Sequence, residues 1–226
     1  ISVFNSDAQF VSNYRLPGQS GIVNDMIKFE ETIYVATDQG LYYLDKQQII
    51  PYNKNINLVE TPVYRFFEPE PGNLWLCTED GLLSFADPFN KINKARGLPV
   101  NEVQCAVRME QQWLIGTYGG GVWVYDKAQG VFQPEALQEY NSEIITALYV
   151  ASGGEIWIGT QNNGLYQYTR DDQQVKNYRT ENGLANNNVR TILADRWNNI
   201  WIGTSGGGVS IFQNSPFIKY STESGL

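Results

Sequence analysis

One four-residue phrase recurs five times along this chain: Tyr34-Val35-Ala36-Thr37, Trp75-Leu76-Cys77-Thr78, Leu114-Ile115-Gly116-Thr117, Trp157-Ile158-Gly159-Thr160 and Trp201-Ile202-Gly203-Thr204. Its threonines stand 41, 39, 43 and 44 residues apart. A turn ending in glycine follows each copy, at Gly40, Gly81, Gly121, Gly164 and Gly208. Each glycine opens a second apolar run, from Leu41-Tyr42-Tyr43-Leu44 in the first copy to Val209-Ser210-Ile211-Phe212 in the last. A β-solenoid has a shorter period and a sandwich has none, so the repeat narrows the fold before any element is assigned.

Within one period the segments are short and β-rich. In the last copy Val189–Leu193, Ile200–Thr204, Val209–Phe212 and Phe217–Tyr220 read as four strands, separated by Trp197-Asn198-Asn199 and Ser205-Gly206-Gly207-Gly208 turns. Glycine and asparagine there supply the positive φ that tight β-connections require. No stretch holds an apolar 3.6-residue period over three turns, which predicts little helix. The strand after each glycine is largely apolar on both faces: Tyr42, Leu83, Trp123, Tyr166 and Ser210 on one, Leu41, Leu82, Val122, Leu165 and Val209 on the other. A half-solvated antiparallel sheet alternates, so these sheets need cover on both sides. Radial stacking provides it, and the expected fold is all-β: a β-propeller of four-stranded antiparallel blades, about five repeats of ~42 residues.

The expected organisation is one propeller segment over 1–226, with a partial blade at 1–22, blades at about 23–56, 57–94, 95–135, 136–178 and 179–220, and the start of a further blade at 221–226. Ile1-Ser2-Val3-Phe4 and Phe10–Tyr14 resemble Val209–Phe212 and Phe217–Tyr220, so an outer hairpin occurs twice. That duplication favours a piece of a larger propeller over a ring closed at five blades or closed by an assembly partner.

Composition then removes whole classes of chemistry. The chain has no histidine, which excludes Ser-His-Asp and Cys-His catalysis and His-ligated metals. Its net charge of −8 repels a phosphate backbone, so no nucleic acid is expected. No apolar run approaches the ~18 residues of a membrane helix, so this segment itself is expected to make no membrane contact, and with no leader it reads as a mature or excised piece. Cys77 and Cys105 sit in apolar strands, as small hydrophobes, as a bridge, or as a reactive thiol. No cofactor or metal site is expected.

The run Asn182-Gly183-Leu184-Ala185-Asn186-Asn187-Asn188-Val189, followed by Ile200-Trp201-Ile202-Gly203-Thr204 and Gly207-Gly208-Val209, resembles the two-component regulator propeller repeat. Gly97–Val103 and Gly154–Thr160 match it in part; the first copy departs from it at Tyr34 and Ala36, and the third puts Trp113 one residue early. The resemblance implies an extracytoplasmic, periplasmic sensor propeller in a membrane-anchored parent. There the output module, a hybrid histidine kinase or diguanylate cyclase, would lie beyond Leu226. It also implies a non-catalytic segment that senses a small-molecule ligand, with oligosaccharide as the suggested class, and self-association of the parent. A protein-interaction scaffold is the alternative, and a propeller lyase or hydrolase a weaker one.

The repeat residues themselves read as architecture: the anchor aromatics pack between blades. Function is expected on loops that vary between copies. Asp25, Thr61, Glu102, Glu143 and Asn188 align just before the inner strands, with Asn187 beside the last, as a polar ring at one mouth of the channel. Such a ring either meets sugar hydroxyls or a cation, or simply caps strand ends in solvent. Tyr118 shares that face with Tyr140, Gln161, Asn162 and Asn163, offering a flat ring and amides, unless it folds onto its neighbour blade. Arg65 and Arg190 on inner strands are either structural partners within the channel or anchors for an acidic ligand. Trp197, at the opposite end, is a partner contact or a plug. Glu102 with Glu143 is the pair an enzyme would use.

Overall fold

A computed structural model describes residues 1–226 apart from 5, 6, 8, 18–20, 53–57, 59, 88, 89, 135–142, 172, 214–216 and 222–226. It explains the repeated phrase locally. In all five copies the threonine hydroxyl donates to the carbonyl of the turn glycine: Thr37 to Gly40, Thr78 to Gly81 and Thr117 to Gly121 at 2.8 Å, Thr160 to Gly164 and Thr204 to Gly208 at 2.9 Å. Four of these threonines are fully buried, where an unmade hydrogen bond is costly. The turn glycine is fixed from the other side as well. Gly164 and Gly208 have φ of +80° and +83°, and a β-carbon on either would overlap a carbonyl oxygen of the outer strand, at Tyr178 and Tyr220.

The chain forms two compact units, Ile1–Ile92 and Asn93–Leu226. The first holds a hairpin, β1 (Ser2–Phe4) and β2 (Phe10–Asn13), and two blades. The first blade is β3 (Val23–Phe29), β4 (Thr32–Thr37), β5 (Gly40–Asp45) and β6 (Gln48–Pro51); the second is β7 (Val63–Glu70), β8 (Asn73–Thr78), β9 (Gly81–Ser84) and β10 (Lys91–Ile92). The second unit holds three. The third blade is β11 (Val103–Met109), β12 (Gln112–Thr117), β13 (Val122–Asp126) and β14 (Val131–Pro134). The fourth is β15 (Ile145–Val150), β16 (Ile156–Thr160), β17 (Leu165–Thr169) and β18 (Gln174–Tyr178), and the fifth β19 (Val189–Ala194), β20 (Ile200–Thr204), β21 (Gly208–Phe212) and β22 (Phe217–Tyr220). Every blade is a four-stranded antiparallel meander. Helix among the described residues is confined to short 3-10 turns such as Lys94–Arg96 and Thr180–Asn182.

Blades within a unit cover one another's flanks, as the two-faced apolar pattern requires. Strand β16 is buried at every residue. Trp157 of the fourth blade meets Phe212 of the fifth edge-on at 5.0 Å, and Tyr178 and Phe217 extend the cluster. In the first unit Tyr34 meets Phe85 of the second blade at 5.0 Å. The phrase glycine permits this approach: a β-carbon on Gly116 would stand 2.6 Å from Ile145 Cγ2 of the next blade. Cys77 and Cys105 are both free and buried, and the Cys105 thiol faces the Ile145 carbonyl at 3.8 Å.

Each inner strand also carries an irregularity at its second residue, between Val23 and Asp25, Val63 and Arg65, Val103 and Cys105, Ile145 and Ala147, and Val189 and Thr191. The displaced residues are Asn24, Tyr64, Gln104, Thr146 and Arg190. Two of them tie their blade to the next: Asn24 donates to the Val63 carbonyl at 2.9 Å and Thr146 to the Val189 carbonyl at 2.7 Å.

Candidate functional site

Two kinds of loop meet at one end of the blades. The turn between second and third strands donates to the segment entering the inner strand: Asp38 N–H to Ile22, Tyr118 to Glu102, Gln161 to Ile144 and Ser205 to Asn188, at 2.8–3.3 Å. Two further bonds cross to the next blade, Gly119 N–H to the Glu143 carbonyl at 3.2 Å and Gly164 N–H to the Asn187 carbonyl at 2.9 Å. The backbone of this end is therefore stitched, and its side chains are presented on a fixed frame.

In the second unit the structure brings together Glu102, Tyr118, Glu143 and Asn163. The Glu102 carboxylate accepts from Gln104 Nε2 at 2.8 Å. The Glu143 carboxylate accepts from Asn163 Nδ2, and the Asn163 side-chain oxygen accepts in turn from Arg179 Nη2. Asn163 is held further by Asn177 Nδ2 on its carbonyl at 3.0 Å. Arg179 was missed by repeat alignment because it sits at the end of an outer strand; only its charge beside Tyr178 marked it. Two atoms here are buried and make no hydrogen bond: Arg179 Nε, a donor, and Asn188 Oδ1, an acceptor. Tyr118, on the third blade of the same stitched end, is 49% exposed.

Other candidates are placed differently. Asn187 spends its side-chain oxygen on Thr180 N–H at 2.9 Å, and Asn101 does the same for Lys94 at 3.1 Å, so both brace the 3-10 turn that enters an inner strand. Asn162 is exposed. Register corrects the polar ring: the residues just before the inner strands are Ile22, Pro62, Glu102, Ile144 and Asn188. Thr61 and Glu143 lie one residue earlier, and Asp25 lies inside β3, beyond the irregularity. Its carboxylate accepts from Met26 N–H and from Phe66 N–H of the second blade, both at 2.9 Å. Arg65 and Arg190 are not equivalent either: Arg190 is the displaced residue and is exposed, whereas Arg65 follows it in register and is half-buried. Tyr140 lies outside the described residues.

At the opposite end, Trp197 is 67% exposed, with the Arg196 guanidinium 4.1 Å from its ring centroid. The Asp195 carboxylate holds this turn, accepting from Trp197 N–H, Asn199 N–H, Asn199 Nδ2 and Trp201 Nε1 at 2.8–3.0 Å. Partial desolvation opposes its ionisation, but the bonds from Trp201, Asn199 and Trp197 outweigh it and lower its pKa from 3.8 to about 2. Among the described residues no group of three or more His, Cys, Asp or Glu could hold a metal, and no helix is long and apolar enough to cross a membrane.

The two component regulator propeller family model matches residues 183–206. No curated protein matches the chain. Among solved structures, the extracellular domain of BT3049 from B. thetaiotaomicron, assigned as a hybrid two component system, aligns with the whole chain at 21% identity and a TM-score of 0.62. The chain spans 37% of that domain's length. Inactive virginiamycin B lyase from Staphylococcus aureus aligns over 97% of the chain and 76% of its own length, at 11% identity and a TM-score of 0.67. YCF48 from Cyanidioschyzon merolae does so over 93% and 75%, at 12% and 0.63. Likeness at these identities fixes the fold and leaves the chemistry to the site. By fold and by its matched segment, the chain is a β-propeller carrying the two component regulator propeller repeat.

Proposed function

We propose that this chain is a non-catalytic ligand-recognition segment of an extracytoplasmic sensor, with a hydroxyl-rich small molecule, an oligosaccharide, as its ligand at the stitched end of the second unit. In this reading the parent is membrane-anchored and passes binding to an output module by changing how protomers associate. The observation that carries it is that a buried donor, Arg179 Nε, and a buried acceptor, Asn188 Oδ1, each lack a partner, on the same end as an exposed tyrosine ring. A sugar hydroxyl both donates and accepts, and a pyranose face stacks on a flat ring. The match at residues 183–206 supports the sensor context.

Catalysis is less well served. Glu102 and Glu143 each accept a side-chain amide N–H, and no histidine is available to serve as their proton partner. The inactive lyase is a histidine-to-alanine variant, and this chain has no histidine. The scaffold reading draws on the β1–β2 hairpin, where Phe10 and Val11 are 58% and 57% exposed.

Titration calorimetry against neutral and acidic oligosaccharides tests the proposal. A bound sugar should lose about tenfold in affinity, ~1.4 kcal/mol, in Tyr118→Ala, a surface change that leaves folding intact. Binding that Tyr118→Ala and Asn188→Ala both leave unchanged overturns this site, and no binding by the chain or its full ectodomain overturns the ligand class.

A further inference from the structure

A cavity of about 640 Å³ opens between the fourth and fifth blades, at the end away from the stitched loops. Its lining includes Tyr149, Glu155, Trp157, Gln167, Trp197 and Phe212. The volume falls in the range of small-molecule sites. Glu155 is the one ionisable carboxylate of the lining, and no lysine or arginine lines it. Among the described residues no hydrogen bond or ion pair holds the half-buried Glu155 carboxylate. It folds back over the preceding turn, where a β-carbon on Gly153 would stand 2.5 Å from its Oε2. Four aromatic side chains share the cavity with it.

A carboxylate partly enclosed by aromatic side chains attracts a cation beside it. Aromatic faces attract cations too, and Arg196 already stacks on Trp197. The Asp195 bonds hold the backbone of that turn in place. We propose that this cavity binds an organic cation, an alkylammonium or guanidinium group paired with Glu155, with its apolar body against Tyr149 and Trp197. The cation comes from a free amine or from a basic side chain of a polypeptide. The site is separate from the stitched end and stands whether or not a sugar binds there.

Four probes test it by NMR titration of the full chain: n-butylammonium, 1-butanol and butyrate, which share a four-carbon chain, and N-acetyl-lysine amide. The cations should saturate the Trp197 indole resonance, butanol should bind about tenfold more weakly and butyrate not measurably. Glu155→Gln should cost about tenfold for the cations and nothing for butanol, with an unchanged melting temperature. Tighter binding of butylammonium identifies a free amine as the source, and of the lysine amide a polypeptide side chain. Equal cation affinity in wild type and Glu155→Gln, butanol binding as tightly as butylammonium, or no saturation by either cation overturns the proposal. Trp197→Ala adds a second arm, and Glu155→Gln carries the test if that variant does not fold.

Discussion

Val189 packs against Gly159 so closely that a β-carbon there would stand 2.5 Å from Val189 Cγ1. The contact joins the second strand of the fourth blade to the inner strand of the fifth, and it explains why the phrase ends in Gly-Thr here. Gly159→Ala should destabilise the chain by ~1–3 kcal/mol, the usual cost of overpacking. Adding Val189→Ala should recover part of that loss, and a double-mutant cycle by urea denaturation reads the coupling.

The Thr160 hydroxyl does two things at once, donating to Gly164 at 2.9 Å and accepting from Asn163 N–H at 2.9 Å. Thr160→Val keeps the shape and removes both bonds, so a loss of ~1–3 kcal/mol is expected in denaturant melts. Thr160→Ser should restore most of it.

Acid should release the Trp197 turn late. Asp195 has its carboxyl lowered from 3.8 to about 2, so the stability it contributes is complete above 3.8 and is lost as the pH falls through about 2. The Trp201 indole N–H, bonded to Asp195 Oδ2 at 3.0 Å, is the reporter: its NMR resonance should shift only near the bottom of that window. Asp195→Asn should displace it already at neutral pH. An indole that titrates near 3.8 contradicts the assignment.

Alkali should act through the interblade aromatics. Burial raises the phenols of Tyr178, Tyr34 and Tyr52 above their ordinary 10.0. A raised folded value means stability that is full below 10.0 and lost as the pH rises through the folded values. Ultraviolet titration should show these phenolates appearing late. In Tyr178→Phe, which also forfeits the bond to Gln167 at 2.9 Å, the alkaline loss of stability should be smaller.

The architecture was legible because its determinants are local and repeated. Threonine, two or three residues of turn and glycine build each hairpin, and the two-faced apolar strands demand neighbours. The site was less legible. Asp25 looked equivalent to Glu102 until the irregularity after Val23 placed it inside the strand, where Phe66 N–H engages its carboxylate; one displaced residue changes which side chains reach the loops. Asn187 looked like a ligand group and braces a turn instead. Arg179 and Glu155 owe their surroundings to residues from separate hairpins, and spacing within one repeat carries no record of that.

The bonds from Asn24 and Thr146 end on main-chain oxygens of the following strand. A clasp that grips only backbone is indifferent to which side chains its neighbour displays. Modules joined this way tolerate duplication and drift, which leaves evolution free to rewrite the rims while the hub keeps its shape.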